Sequence, residues 1–301
     1  MPCLHALTSH SDKPPWHNEK AEQVGNRRKR KVGSMDLPHW QTADYHYIAS
    51  RATLIAFDLD GTLARSKMPM KREDAELLSK LTYSFPVAII SGGRWDLIDS
   101  QILSMISSSA DLSRLHLMPT TGTRYYSWNG AGWVCQYEIN IDPQDREHAL
   151  ASVRRRAQEL GFWYPQDRVW GERIDDRGSQ ITFSALGQQA PVDAKEAWDP
   201  DGSRRQALAQ AIQADLPELT VRAGGATSVD ISVKGVDKSY AVRELAQTFS
   251  CPLKQIVFLG DRMTPEGNDY PAAKAGTYAI EVAGPQDTAR FISRLLRELG
   301  R

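Results

Sequence analysis

The 301-residue chain is 41% hydrophobic and 25% charged, ordinary values for a folded protein with a sizeable core. Lysine plus arginine balances aspartate plus glutamate at 37 each, so no net charge points to nucleic acid. Cys3, Cys135 and Cys251 are few and far apart, which argues for a reducing, cytoplasmic setting rather than a disulfide framework. No apolar run is long enough to span a membrane, and no membrane partner is expected.

Residues 1–50 hold prolines, histidines and the basic run Arg27-Arg28-Lys29-Arg30-Lys31 with little apolar periodicity. They read as a disordered, solvated tail. Met35 follows the basic run and is a candidate start of translation, a hypothesis that the mass of the native protein tests. Five of the seven histidines fall in this stretch, which argues against a histidine metal centre further on.

Folded sequence is expected from about Arg51. Leu54-Ile55-Ala56-Phe57 is an apolar run that stops at Asp58-Leu59-Asp60-Gly61-Thr62. Short unbroken apolar runs mark strands buried on both faces of a parallel sheet. Ligand sites on such sheets lie beyond the carboxyl ends of the strands. Asp58 and Asp60, two apart on an extended chain, project to the same side. Two carboxylates in one small space repel unless a cation or a shared proton lies between them. Ala75, Leu78 and Leu81 then keep the helical spacing that a crossover helix requires. Val87-Ala88-Ile89-Ile90 is a second strand, ending at Ser91-Gly92-Gly93-Arg94, and Leu97, Ile98, Ile102, Met105 and Ile106 mark a second helix.

From about residue 141 the pattern changes. Helices are predicted over 145–160 and 203–214, and strands over 179–185, 219–222 and 227–233. Elements without long apolar runs suggest an antiparallel sheet with one open face, an α+β unit. Trp163, Trp170 and Trp198 are assigned to its packing. Near Val233 the first pattern resumes. Asp237 is a predicted N-cap for a helix carrying Val242, Leu245 and Phe249. Lys238 then sits at the unfavourable end of the helix dipole, so an anion is expected beside it. Ile256-Val257-Phe258-Leu259 is a third strand and delivers Asp261 just after Gly260. In parallel strands, Asp58, Asp60, Ser91 and Asp261 converge at one sheet edge.

This constellation resembles the haloacid dehalogenase (HAD) superfamily of phosphoryl-transfer enzymes, in the form with an inserted cap (subclass IIB). The likeness rests on Asp58 to Thr62 (DLDGT), the hydroxyl of Ser91, then Lys238, then the acidic Asp261 and Asp269, all in the family's order. It implies an α/β fold, a parallel-sheet, Rossmann-like core with an inserted α+β cap. The core would comprise residues 51–140 and 233–301, and the cap residues 141–232. It implies Asp58 as nucleophile, Asp60 as general acid/base, and Ser91 and Lys238 as phosphate holders. Magnesium (Mg2+) would sit among Asp58, the Asp60 carbonyl, Asp261 and Asp269, with Gly61, Gly92 and Asn268 near the substrate. The chemistry is coherent on its own terms. Oxygen ligands suit a hard cation, carboxylate attack splits one hard displacement into two, and Lys238, Ser91 and the Gly61 turn would stabilise phosphoryl charge.

Within the superfamily the chain is similar to the eukaryotic-type phosphomannomutases. Gly260 to Asp269 carries a proline-containing insert between its GD and GND, and Gly224 to Asp230 leads through Gly235 into Lys238. Arg177 opens a strand in the expected cap. The resemblance implies substrate contacts from Arg177, Lys195, Ser228 and Asp230. It departs where those mutases place two further cap arginines, because Gln188 and Lys195 stand there. Neither replaces a guanidinium fork on a second phosphate. The expected activity is therefore a magnesium-dependent phosphohydrolase of a sugar phosphate or similar small metabolite. A mannose-type hexose phosphomutase is the alternative. A non-catalytic binding protein is disfavoured because Asp58 and Asp60 are both intact. The expected partner is a small phosphorylated metabolite, and a homodimer is left open.

Overall fold

In the computed structural model, Met35 and residues 37–301 are described. The basic run and the rest of residues 1–34 lie outside them. The elements are, in chain order, α1 (Tyr45–Arg51), β1 (Leu54–Asp58), α2 (Arg72–Thr82), β2 (Val87–Ile90), α3 (Trp95–Ile98), β3 (Leu115–Met118), β4 (Arg124–Trp128) and β5 (Trp133–Glu138). There follow α4 (Pro143–Glu159), β6 (Ile174–Asp176), β7 (Gln180–Ser184), α5 (Val192–Trp198), α6 (Ser203–Asp215), β8 (Leu219–Ala223) and β9 (Ser228–Val233). The chain ends with α7 (Lys238–Thr248), β10 (Ile256–Gly260), α8 (Tyr270–Lys274), β11 (Tyr278–Glu281) and α9 (Pro285–Glu298).

One sheet has the order β11-β10-β1-β2-β3-β4-β5 and the other β6-β7-β9-β8. From β11 to β3 the neighbours are parallel, and β4 and β5 are added antiparallel. The architecture is α/β, with the α+β unit inserted between β5 and α7. Every residue of β1, β2 and β10 is buried. Ile55 and Phe57 pack with Ile48, Leu78 and Phe291, while Leu54 and Ala56 pack with Val242 and Ala272 on the opposite face. Burial on both faces is why these runs are continuous rather than alternating. In α2, Ala75, Leu78 and Leu81 are buried, as their spacing predicts. Fully burying one such leucine contributes about 1.5–3 kcal/mol. The chain leaves β1 for β2 on one side and returns through β10 on the other, so the strand order switches beside β1, where a binding crevice is expected.

The tail boundary at residue 50 is corrected by α1. Asp44 caps this helix through the Tyr47 N–H (2.9 Å), Ile48 is fully buried, and the Tyr45 ring lies 5.5 Å from that of Phe291. Two apolar residues at helical spacing are too short a pattern to read against a polar background. The helix expected across 97–106 is interrupted, since α3 gives way to a π-helical turn at Asp99–Leu103. Strands β3 to β5 escape an apolar-run criterion because His116, tyrosines and tryptophans occupy them.

In the inserted unit, Ile181, Phe183, Val229 and Ile231 pack with Val153 and Ile212 of the helices. Thr182 and Asp230, one strand position away, belong to the open face. The three-residue β6 and seven-residue α5 were too short to predict. Trp163 stacks on Phe183 (5.7 Å, 7°) and Trp198 is buried, but Trp170 is 44% exposed and is corrected from a packing residue to a surface one. Among the described residues no helix is long and apolar enough to cross a membrane.

Candidate active site

β1 ends on the buried Asp58, and β10, its parallel neighbour, hands the chain to Asp261. α7 opens on Lys238, with Asp237 as N-cap accepting the Ser239 N–H (2.8 Å). Asp269 precedes α8. The Lys238 side chain is wholly buried and donates to Asp58 and to Asp269, the latter at 2.5 Å. These carboxylates are the anions that a lysine at a helix N-terminus calls for. Asp269 also accepts the Arg262 N–H at 2.9 Å.

One carboxylate oxygen from each of Asp58, Asp261 and Asp269 lies within 4.8 Å of the others. Burial pushes the Asp58 carboxyl up to about 6, with Lys238 opposing and Asp269 and Asp261 adding to the rise. Burial likewise raises Asp261, reinforced by Asp269. Burial alone would lower Lys238, but Asp58 and Asp269 hold it above its ordinary value. One ammonium against three carboxylates leaves an excess of negative charge. An all-oxygen donor set with that excess fits a hard divalent cation such as magnesium. Gly61 lets the turn after β1 pass close to the Asp261 carboxylate. It has φ +89°, and a Cβ there would lie 2.5 Å from the Asp261 carboxylate.

The Asp60 carboxylate is not part of this triad. Its Oδ1 accepts the Lys67 N–H (2.8 Å) and the Gln101 side-chain amide (3.2 Å). Ser91 follows β2 and is buried, its Oγ accepting the Gly93 N–H at 3.0 Å. Thr62 Oγ1 lies 3.4 Å from Asp261 Oδ1.

The open face of the smaller sheet forms one wall of a cleft of about 1300 Å³. Gly92, Arg177, Lys195, Ser228, Asp230 and Asn268 all line it. Arg177 is held by Asp175 (2.9 Å) and reaches the Gly92 carbonyl (3.4 Å) beyond β2. Lys195 donates to the Gln188 carbonyl (2.9 Å), and burial together with Lys67 lowers its pKa. Asp230 accepts the Thr182 hydroxyl at 2.6 Å. Lys67 and Gln101 were not singled out in the sequence. Gln101 carried a signal, because it falls three residues after Ile98 on the apolar stripe and is a polar residue at a core position.

The family model for eukaryotic phosphomannomutase matches residues 165–298. The phosphomannomutase of Saccharomyces cerevisiae is 25% identical over 260 residues, spanning 84% of this chain and 98% of that protein. A probable phosphomannomutase of Caenorhabditis elegans is 26% identical over 263 residues, spanning 83% and 98%. Among solved structures, Plasmodium falciparum IMP-nucleotidase superposes with a TM-score of 0.62 at 13% identity, covering 84% of this chain and 71% of that one. Aspergillus fumigatus trehalose-6-phosphate phosphatase superposes with a TM-score of 0.54 at 17% identity, covering 87% and 99%. The chain is phosphomannomutase-like and has the haloacid dehalogenase fold. The family-model span includes Lys238, Asp261 and Asp269, whereas Asp58, Asp60 and Ser91 precede it.

Proposed function

We propose that the protein is a magnesium-dependent phosphohydrolase of a sugar phosphate or similar small phosphometabolite. The observation that carries this reading is the meeting of Asp58, Asp261, Asp269 and Lys238 at the carboxyl end of the parallel strands, beside a polar cleft. Asp58 attacks phosphorus, and the ester P–O bond breaks as the Asp58 O–P bond forms. Asp60 gives a proton to the leaving oxygen, then takes one from the water that cleaves the aspartyl-phosphate. An ammonium has three donors. Two of those on Lys238 are committed to Asp58 and Asp269, which leaves the third for a phosphoryl oxygen. Ser91 would hold a second oxygen, and Arg177, Lys195, Ser228 and Asp230 would orient the sugar. Magnesium held by Asp58, the Asp60 carbonyl, Asp261 and Asp269 would neutralise charge on the carboxylates and the phosphoryl group. The names of the sequence relatives and of the trehalose-6-phosphate phosphatase neighbour support phosphoryl transfer on a sugar phosphate.

The second reading is a hexose phosphomutase, favoured by the phosphomannomutase family model and by Arg177 in the cleft. Against it, the Gln188 amide turns toward the Arg173 and Thr182 carbonyls at 3.5 Å, and Lys195 is bonded to the Gln188 carbonyl. No guanidinium fork stands at either position to hold a second phosphate. The test incubates the protein with magnesium, mannose 1-phosphate or glucose 1-phosphate, and a hexose 1,6-bisphosphate activator. Free phosphate should exceed the 6-phosphate isomer. The reverse ratio would establish the mutase reading instead.

A further inference from the structure

We infer that Gln101 is a positioning residue for the acid/base carboxylate, holding Asp60 by one oxygen so that the other is left to exchange protons. The inference rests on the phosphohydrolase reading above. Gln101 lies in the π-helical turn Asp99–Leu103 and is 1% exposed. Turns of this kind recur at functional sites. Both N–H groups of its amide are used, one on Asp60 Oδ1 (3.2 Å) and one on the Met68 carbonyl (3.1 Å). Its main-chain carbonyl accepts the Met70 N–H (2.8 Å). The Lys67 N–H, from a residue at φ +57°, adds a second bond to Asp60 Oδ1 (2.8 Å). Asp60 Oδ2 accepts no hydrogen bond among the described residues, so the two oxygens are unequal.

Gln101 Oε1 is buried and has no partner among the described residues. Turning the amide over would set Oε1 against Asp60 Oδ1 and the Met68 carbonyl, both acceptors, so its orientation is fixed by Asp60. A buried acceptor without a donor costs free energy, and an apolar side chain of similar size would avoid that cost. Packing therefore does not account for glutamine here. Fixing Asp60 does. The same bonds tie the segment that follows Asp60, which carries Lys67 into the cleft, to the carboxylate that must protonate the leaving group.

The experiment uses the full chain with magnesium and compares kcat/KM on two esters. Mannose 1-phosphate needs a proton on its leaving oxygen, and p-nitrophenyl phosphate departs as a stable phenolate without one. Because kcat/KM reports transfer to Asp58, later hydrolysis of the aspartyl-phosphate does not blur the comparison. Gln101→Leu should lose at least about tenfold on the sugar phosphate and change by less than about twofold on the aryl ester. Its Tm should stay near the wild-type value, since the two lost hydrogen bonds and the removed unpartnered acceptor oppose one another. Gln101→Met is the second variant should leucine misfold. Equal losses on both esters with a lowered Tm would make Gln101 merely structural and overturn the inference, as would full activity on both. Wild-type protein that cleaves neither ester would instead overturn the phosphohydrolase reading, and the inference with it.

Discussion

Lys238 and Asp58 meet across 180 positions of sequence, and the lysine side chain at that contact has no access to water. The same ammonium reaches Asp269, so one cation holds together two carboxylates, and it opposes the burial that raises the pKa of Asp58. Removing one partner of a buried ion pair is costly because the other charge stays buried. Lys238→Met should lower stability by about 3–5 kcal/mol in urea unfolding without magnesium. It should also abolish turnover. A variant with wild-type stability would show that the carboxylates do not need the ammonium.

Magnesium should stabilise the folded protein through the same triad. At a concentration about 100 times its Kd, the gain expected from linkage is about 2.7 kcal/mol. Calorimetry with and without magnesium reads it directly. Asp261→Asn and Asp269→Asn should each remove most of the shift, and a shift preserved in both would place the ion elsewhere.

Gly61 tests how closely the turn after β1 must approach Asp261. Gly61→Ala combines an unfavourable backbone region with a Cβ 2.5 Å from the Asp261 carboxylate. Strain of this kind costs on the order of 1–3 kcal/mol. Denaturant unfolding should show that loss, together with a reduced magnesium shift. An unchanged midpoint would mean that Asp261 moves freely.

A pH dependence follows from His116. Its Nδ1 lies 2.8 Å from the Tyr125 hydroxyl, its ring stands edge-on to Phe249, and burial, with Arg114 adding, holds its pKa down at about 4. Between pH 4 and the ordinary value of 6.5 the unfolded chain binds a proton that the native state does not. Stability is therefore full above pH 6.5 and falls as pH drops toward 4, by about 3 kcal/mol from this residue. His116→Phe should flatten that part of the stability–pH curve. A slope equal to wild type would remove His116 as its source.

The readable parts of the chain were those where one physical demand acts alone. Two-sided burial made β1, β2 and β10 visible as apolar runs, and their ends located Asp58, Ser91 and Asp261. Helical spacing locates α2 and α7 because each buries one stripe. Where two demands overlap, the pattern was lost. His116 breaks the apolar run of β3, and the π-helical turn puts Gln101 on a stripe that spacing assigns to core. Residues 39–50 are not legible as folded because α1 draws its stability from α9 at the other end of the chain, which local periodicity cannot express. The two hydrogen bonds of Lys238 were anticipated only as an unspecified anion, since the fold alone decides which carboxylates arrive there.

In the proposed mechanism Asp58 carries the phosphoryl group. The most direct measurement is acid quenching of the wild-type protein during turnover of phosphorus-labelled mannose 1-phosphate with magnesium, followed by peptide mapping. Label should be found on the peptide containing Asp58, and Asp58→Asn, still folded, should take up none and turn over no substrate. Turnover that persists in Asp58→Asn, or label that maps to another residue, would exclude Asp58 as the nucleophile.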